Sequence, residues 1–585
     1  MKTHQADPSG VRLSRIACQF WVLIMTVSIL SGSMYMLFVL KVNSDLCLFR
    51  KLLDQRLGWR GQVSDIAPQL DHDKMENLKG TTTPAANKPK QMMEMLPLSK
   101  ASVVRQYLEN GSTDCHHVAT AMARVFGLPT TADTAAEGGI TLSTDQDHDF
   151  LIVSYAKNGH RRCSGGDYYE VDLSGPRWKH RPPVQDLGNG SYLVRLRVQN
   201  QFEDAYQLKI ILLFGNLHGL NQKPDPWSLY NTTEDKNPAF LATVNFRNDT
   251  HLIEPLPHDQ LPLCSENNYG SSSWRGRWTR TKVNGSCTAD TRGRFKCFPA
   301  DEDCATNWCK GPLGRLESTG WVYSRRHCSF RIFSQQDAWS CVKNKWIYFW
   351  GDSNHQDSSR NLLNFFLGYD LPLGVLPRSY DRNFSNPENP NESVRISTLF
   401  NGHDDERLNF KGLLSLKNES YREKIRSSFG SREKAPDFVV LNSGLHDCHF
   451  WSNFTQYVEA AENASQFWYS TWSGVDEDVH KRPMVVYRTT IAPSGPTRAS
   501  VINPQKVELM NAVMVDSFLS KFGAEVLKIV DEFDMSFPFH YDRLYSDGQH
   551  YGRIPNYYYW IPGGHHYFVD LMLVNIHLNI LCPLD

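Results

Sequence analysis

Three short stretches hold residues whose types and spacing suit acyl-transfer chemistry: Gly351-Asp352-Ser353, Asn442-Ser443-Gly444 and Asp547-Gly548-Gln549-His550. A serine hydroxyl becomes a nucleophile when a base takes its proton, and the base works best when a third group orients it. Asp547 and His550 lie one helical turn apart, so one short loop can supply both the orienting carboxylate and the imidazole. His540, His565 and His566 are nearby competitors, but none has an acid three residues upstream. Asn442 and Gly444 offer a side-chain amide and an adaptable backbone N–H, the donors an oxyanion needs. Gly351 permits a sharp turn before Ser353, and Asp352 sits between them at the end of a strand. The bland alternatives are that Gly-Asp-Ser and Asn-Ser-Gly are turn sequences and that His550 is an incidental surface histidine.

The elements that must position these residues come next. Trp346-Ile347-Tyr348-Phe349-Trp350 reads as a continuous apolar strand ending just before Gly351, with helix following toward Phe366. Phe438–Leu441, Met484–Tyr487 and Val526–Val530 read as further buried strands. Asn503-Pro504 reads as a cap and first helical residue, with Val507, Met510, Val513, Met514 and Phe518 on one face of the helix. Buried strands alternating with helices predict a parallel α/β sheet over 346–585, and such sheets hold ligands beyond the carboxyl ends of their strands. Ser353 and Asn442 both fall at such an end.

Upstream, residues 101–260 read as short strands, among them Phe150–Tyr155, Asp167–Leu173, Tyr192–Val198 and Leu208–Phe214, which predict a β-sandwich. Residues 261–345 carry seven cysteines between Cys264 and Cys341, with five tryptophans among them, and read as a disulfide-stapled collar of the following domain. Residues 41–100 read as a flexible stem.

From Ile16 to Leu40 there is no charge, a length that spans a bilayer. Lys2, Arg12 and Arg15 precede it, predicting a cytoplasmic tail over 1–15 and a luminal remainder. A signal peptide cleaved near Ser31-Gly32-Ser33 is the alternative, and it would release the chain as a secreted protein. Beyond this segment lie twelve of the 13 cysteines, an even set that predicts disulfides rather than zinc ligands. All ten N-glycosylation sequons also lie beyond it, at Asn110, Asn189, Asn231, Asn248, Asn284, Asn383, Asn391, Asn418, Asn453 and Asn463. Lys+Arg (62) nearly cancels Asp+Glu (63), which leaves no basic field for a nucleic acid. No metal or nucleotide motif stands out.

The stretch from Cys341 through Lys345-Trp346-Ile347-Tyr348-Phe349-Trp350-Gly351-Asp352-Ser353, with Asp547-x-x-His550-Tyr551, resembles the PC-esterase branch of the SGNH hydrolases. With the sandwich before it, the layout over about 100–585 resembles the neurexophilin and PC-esterase domain (NXPE) family. The resemblance implies an α/β SGNH/PC-esterase-type three-layer sandwich, preceded by an Ig-like, neurexophilin-like β-sandwich and an N-terminal transmembrane or signal-anchor helix. It implies Ser353 as acyl acceptor, His550 as base and Asp547 as its orienter. Relatives such as sialate and plant-wall polysaccharide O-acetyltransferases move acetyl groups to sugar hydroxyls. The implied activity is therefore serine-dependent O-acyl transfer or ester cleavage on a glycan or glycoprotein acceptor in the Golgi lumen, sialic acids being one candidate. No bound cofactor is implied, only an acetyl donor, acetyl-CoA among the candidates, as co-substrate.

One position departs from the family pattern: where relatives usually carry Arg three residues after the serine, this chain has Gln356, with Arg360 a turn later. The alternative function is a catalytically silent, anchored or secreted binding glycoprotein that docks a cell-surface partner through its neurexophilin-like sandwich.

Overall fold

The computed structural model describes residues 120–583 except 129–138, 222–238, 248–260, 271–273, 275, 280–287, 290–294, 297–320, 370, 372–374, 403–410, 429–434, 452, 474–482, 494–500, 541–545, 547 and 553–567. The chain divides into two units, Met1–Glu94 and Met95–Asp585, and every described residue belongs to the second. The expected tail, membrane segment and stem therefore lie outside the described residues, as do Asp547 and the sequons at Asn110, Asn231, Asn248 and Asn284. Among the described residues no helix is long and apolar enough to cross a membrane.

The first nine strands are β1 (Thr120–Phe126), β2 (Ile140–Ser143), β3 (His148–Ala156), β4 (Tyr168–Ser174), β5 (Trp178–His180), β6 (Val184–Asp186), β7 (Ser191–Leu196), β8 (Asp204–Phe214) and β9 (Phe240–Arg247). Next come β10 (Arg277–Thr279), the pair β11 (Thr288–Ala289) and β12 (Phe295–Lys296), and β13 (Val322–Ser324). One sheet has the order β1-β3-β7-β6 and another the order β13-β10-β5-β4-β8-β9-β2. Phe150, Ile152 and Val194 of the first share an apolar core with Val171, Leu208 and Ile210 of the second. Period-two alternation sends one side of each strand into that core.

The cysteine-rich segment departs from the reading of 261–345 as a collar of the later domain alone. Its strands β10 and β13 extend the seven-stranded sheet, β10 pairing with β5. Alternation along β10 explains the double duty. The Arg277 guanidinium lies over the Trp178 ring, 5.5 Å from its centroid, on the sandwich side. The Trp278 indole instead donates to the Met535 carbonyl at 2.7 Å and meets the rings of Phe539 and Phe568, all in the α/β body.

That body comprises α1 (Gln335–Val342), β14 (Trp346–Gly351), α2 (Ser353–Asn361), β15 (Tyr380–Ser385), β16 (Ser393–Phe400), α3 (Glu419–Ser428), β17 (Phe438–Leu441), α4 (Leu445–Phe450), α5 (Phe454–Ser473), β18 (Met484–Arg488), α6 (Pro504–Phe522), β19 (Leu527–Val530), α7 (Glu532–Ser536) and α8 (Phe568–Leu581). Its sheet has the order β15-β16-β14-β17-β18-β19, with β15 antiparallel to β16 and the other pairings parallel. All residues of β14, β17 and β19 are buried, as a strand covered on both faces requires. Among the parallel strands the chain runs first to one side of β14 and then to the other, so the order reverses between β14 and β17. In doubly wound sheets that reversal opens the crevice where ligands bind.

Cys264 and Cys328 form a disulfide, and a second joins Cys341 at the end of α1 to Cys582 after α8. Cys448 corrects the expectation that the twelve cysteines beyond Leu40 all pair. It is a free, buried thiol whose sulfur lies 3.7 Å from Met510 Sδ, and burial pushes its pKa up to about 12.

Candidate active site

The hydroxyl of Ser353 and Nε2 of His550 are 2.6 Å apart, although 197 residues separate them in sequence. Ser353 is the first residue of α2, directly beyond β14, and is half-buried, whereas His550 is buried. The helix begins here because Asp352 caps it: its Oδ1 accepts from the Asn354 N–H at 3.0 Å and its carbonyl from the His355 N–H at 3.1 Å. That capping occupies two of the amides that a helix start leaves over, and the Ser353 N–H has no acceptor within the helix. It is a donor beside its own hydroxyl, where an oxyanion forms when that hydroxyl adds to a carbonyl.

Gly351 is required by close approach. A Cβ there would lie 2.1 Å from His355 Nδ1. His355 packs edge-on against Phe349 and is fully buried, and desolvation holds its pKa well below the usual histidine value. It lies beneath the crevice as a neutral ring.

On the neighbouring strand end, the Asn442 N–H donates to the Trp350 carbonyl at 3.0 Å, which sets the Asn442–Gly444 loop beside the serine turn. The Asn442 side chain was expected to offer its amide to an oxyanion. Instead its nitrogen donates to the Arg488 carbonyl and to Thr490 Oγ1, each at 3.0 Å, so both amide hydrogens tie β17 to the end of β18. Gly444 follows, and a Cβ there would fall 2.0 Å from Thr490 Oγ1. His446, one turn on, packs edge-on against Phe400. Asp447 is buried and accepts from the Leu413 N–H at 2.9 Å and the Trp451 indole at 2.8 Å. Desolvation raises its pKa to about 6.

Asp547, the expected orienter of His550, is outside the described residues. His540 is excluded as a rival base: Nδ1 bonds the Phe537 carbonyl, while Nε2 lies 3.2 Å from Glu170 Oε1 in a fully buried contact. His565 and His566 are not described.

The helix behind Ser353 carries side chains that sequence reasoning passed over. Helix α2 reads Ser-Asn-His-Gln-Asp-Ser-Ser-Arg-Asn, yet Asn354, Ser358, Arg360 and Asn361 are all buried. Buried polar groups cost several kcal/mol unless hydrogen-bonded, and these are bonded. Asp570 of α8 accepts from Ser358 Oγ at 2.7 Å and Asn361 Nδ2 at 2.6 Å. Burial raises the Asp570 pKa, opposed by the charge of Arg488. Gln356, at the position where an arginine was expected, donates to the Leu376 carbonyl at 3.1 Å. Arg360 does not stand in for it: its guanidinium is turned inward, onto the Gly552 carbonyl at 2.6 Å and Asp357 Oδ1 at 3.5 Å. The available signal was the spacing 354, 358, 361, which is one face of a helix.

No family model matches this chain. No curated protein matches it. Among solved structures it is similar to domains 4 and 5 of the S-layer protein SbsC, at 11% identity over 22% of this chain and a TM-score of 0.13, a likeness that carries no argument. The match spans 52% of that structure, about half its length. Among the described residues no group of three or more His, Cys, Asp or Glu side chains is arranged to hold a metal ion.

Proposed function

We propose that the protein is a serine-dependent O-acyltransferase or esterase of the SGNH/PC-esterase type, related to the NXPE family, acting on glycan hydroxyls in the secretory pathway. The observation that carries this reading is the 2.6 Å contact between Ser353 Oγ and His550 Nε2 at the order reversal of a doubly wound sheet. In the first half-reaction, Ser353 Oγ adds to the acyl carbonyl of an ester or thioester donor and His550 Nε2 takes its proton. Collapse of the tetrahedral adduct expels the donor's alcohol or thiol, which recovers that proton from His550. In the second, a sugar hydroxyl or water gives its proton to His550 and attacks the acyl-serine; collapse of that adduct releases the acylated sugar or free acid, and Ser353 Oγ recovers the proton from His550. Asp547 holds His550 in the orientation that exposes Nε2. A single membrane segment does not move the donor across the bilayer, so the donor is already luminal.

The six described sequon asparagines, Asn189, Asn383, Asn391, Asn418, Asn453 and Asn463, are all exposed, which supports passage through a glycosylating compartment. The second reading, a silent binding glycoprotein, draws support from Gln356 and the inward-turned Arg360, which leave α2 without a cation for an anionic substrate.

The test compares wild type with Ser353→Ala, Asp547→Asn and His550→Ala in cells, measuring O-acetyl groups on released glycans by mass spectrometry. The enzyme reading requires a change with wild type that all three substitutions abolish. Equal acetylation across all four, with normal secretion, favours the binding protein.

A further inference from the structure

We infer that Asn354 and Arg360 are positioning residues for His550: the helix that presents the nucleophile also latches, on both sides, the loop that carries the base. The inference rests on the serine-dependent reading above. Upstream of His550, Asn354 Nδ2 donates to the Gln549 carbonyl at 3.1 Å. Downstream, Arg360 Nη2 donates to the Gly552 carbonyl at 2.6 Å, joined by Asn361 Nδ2 at 3.4 Å. Asn354 and Asn361 share one face of α2, and Arg360 reaches the same carbonyl from the next position.

The latch is itself braced. Asp357 lies 3.5 Å from the Arg360 guanidinium, and Asp570 accepts from Asn361. Tyr551, wholly buried, anchors the loop to the Ala492 carbonyl at 3.0 Å. Gly552 must be glycine for the carbonyl to be reached, since a Cβ there would stand 2.8 Å from Asp570 Cγ and 3.0 Å from Asn361 Nδ2.

The consequence is mechanical. Ser353 and the donors that fix His550 ride on one rigid helix, so any tilt of that helix carries nucleophile and base together and their contact survives it. The position of the imbalance that matters most is the loop itself: releasing either carbonyl lets His550 swing by an ångström or so, a displacement that costs about 10²-fold in rate. It also explains why Arg360 faces inward although the helix has no cation at position 356.

The experiment uses the full-length chain from a secretory host, as wild type, Asn354→Ala, Arg360→Gln, Arg360→Lys, Gly552→Ala and Ser353→Ala. A fluorophosphonate probe reports kinact and KI for phosphonylation of the serine, with fluoride as leaving group. Amide hydrogen exchange of the peptide spanning 549–552 reports the loop directly. The expected result is that Arg360→Gln and Asn354→Ala lower kinact by roughly 10- to 100-fold at unchanged KI. Arg360→Lys, which keeps a donor for the Gly552 carbonyl, recovers most of the loss, and loop exchange rises in step with the loss of kinact. Should Arg360→Gln fail to fold, Asn354→Ala and Gly552→Ala carry the same comparison. Labelled wild type with kinact unchanged in the latch variants, or with unchanged loop exchange, overturns the inference alone. Wild type labelled no faster than Ser353→Ala sinks the serine reading and the inference with it.

Discussion

Tyr168 of β4 and Glu508 of α6, 340 positions apart, share a buried hydrogen bond of 2.8 Å. The same carboxylate oxygen takes the Arg181 guanidinium at 2.6 Å, and the two side chains of that ion pair are only 10% and 9% exposed. Arg181 is itself held over the rings of Phe533 and Phe537. Glu508→Ala removes the carboxylate that pairs the buried Arg181 guanidinium, a change that costs about 3–5 kcal/mol. Thermal unfolding of Glu508→Ala should therefore show a large fall in Tm across the sandwich and the α/β body in one transition. A loss confined to one of them would contradict the coupling.

Removing the acceptor behind the serine helix should be costly without touching Ser353 or His550. Asp570→Leu takes away the acceptor of the buried Ser358 hydroxyl, at about 1–3 kcal/mol, and leaves the buried Asn361 amide only its 3.4 Å bond to the Gly552 carbonyl. Ser358→Ala removes one donor and leaves the carboxylate its Asn361 bond, so it should cost less than Asp570→Leu. Equal losses in chemical denaturation would show that Asp570 is not the shared acceptor.

Three buried carboxyls should each withdraw stability as pH rises toward 8. Burial lifts Asp447 to about 6, Asp531 to about 7 with help from neighbouring Asp534, and Glu532 to about 8 against the pull of Arg488. For each, the folded value exceeds the unfolded one of about 4, so the folded state binds more protons in between. The contribution is full below about pH 4 and is lost as pH climbs through each folded value. Desolvation lowers His180, His355 and His577, which pull the other way over the same interval. The check is therefore a comparison: in scanning fluorimetry the Tm of wild type should lose more, or gain less, from pH 6 to pH 8 than that of Asp531→Asn, and an identical profile would refute the assignment.

Cys448 should resist alkylation in the native protein and react once the chain unfolds. Its thiol is buried, faces Met510 and has its pKa pushed up to about 12, so little thiolate exists near neutral pH. Peptide mapping after iodoacetamide, with and without denaturant, checks this. Native-state labelling would mean that α4 opens readily.

Much of the α/β body was legible because its strands are continuous apolar runs. Trp346–Gly351, Phe438–Leu441, Met484–Arg488 and Leu527–Val530 fall where hydrophobicity alone placed them, and α6 starts at the cap read from Asn503-Pro504. Strands β15 and β16 went unread because their charged and polar residues, such as Arg382 and Arg395, obscure the alternation. Helix α5 was missed although Tyr457, Ala461, Ala464 and Trp468 line one face. The site was legible as residue types at strand ends. What could not be read was the fate of side-chain hydrogens: the Asn442 amide is tied to β18, and Arg360 points into the protein, because those choices depend on neighbours more than a hundred residues away or on strands not yet paired.

The bond between Cys341 and Cys582 closes a separation of 241 residues, and Asp570 reaches back to Ser358 and Asn361 from beyond position 550. During synthesis the nascent chain thus exposes Ser353 and its helix long before the groups that seat that helix have left the ribosome. Until they emerge, Ser358 and Asn361 have no acceptor from α8 and Cys341 no sulfur to meet. Any message truncated upstream of residue 568 encodes a product in which Ser353 is translated but its helix lacks the acceptor and the disulfide partner that seat it, so such a product should be unfolded rather than merely weakened.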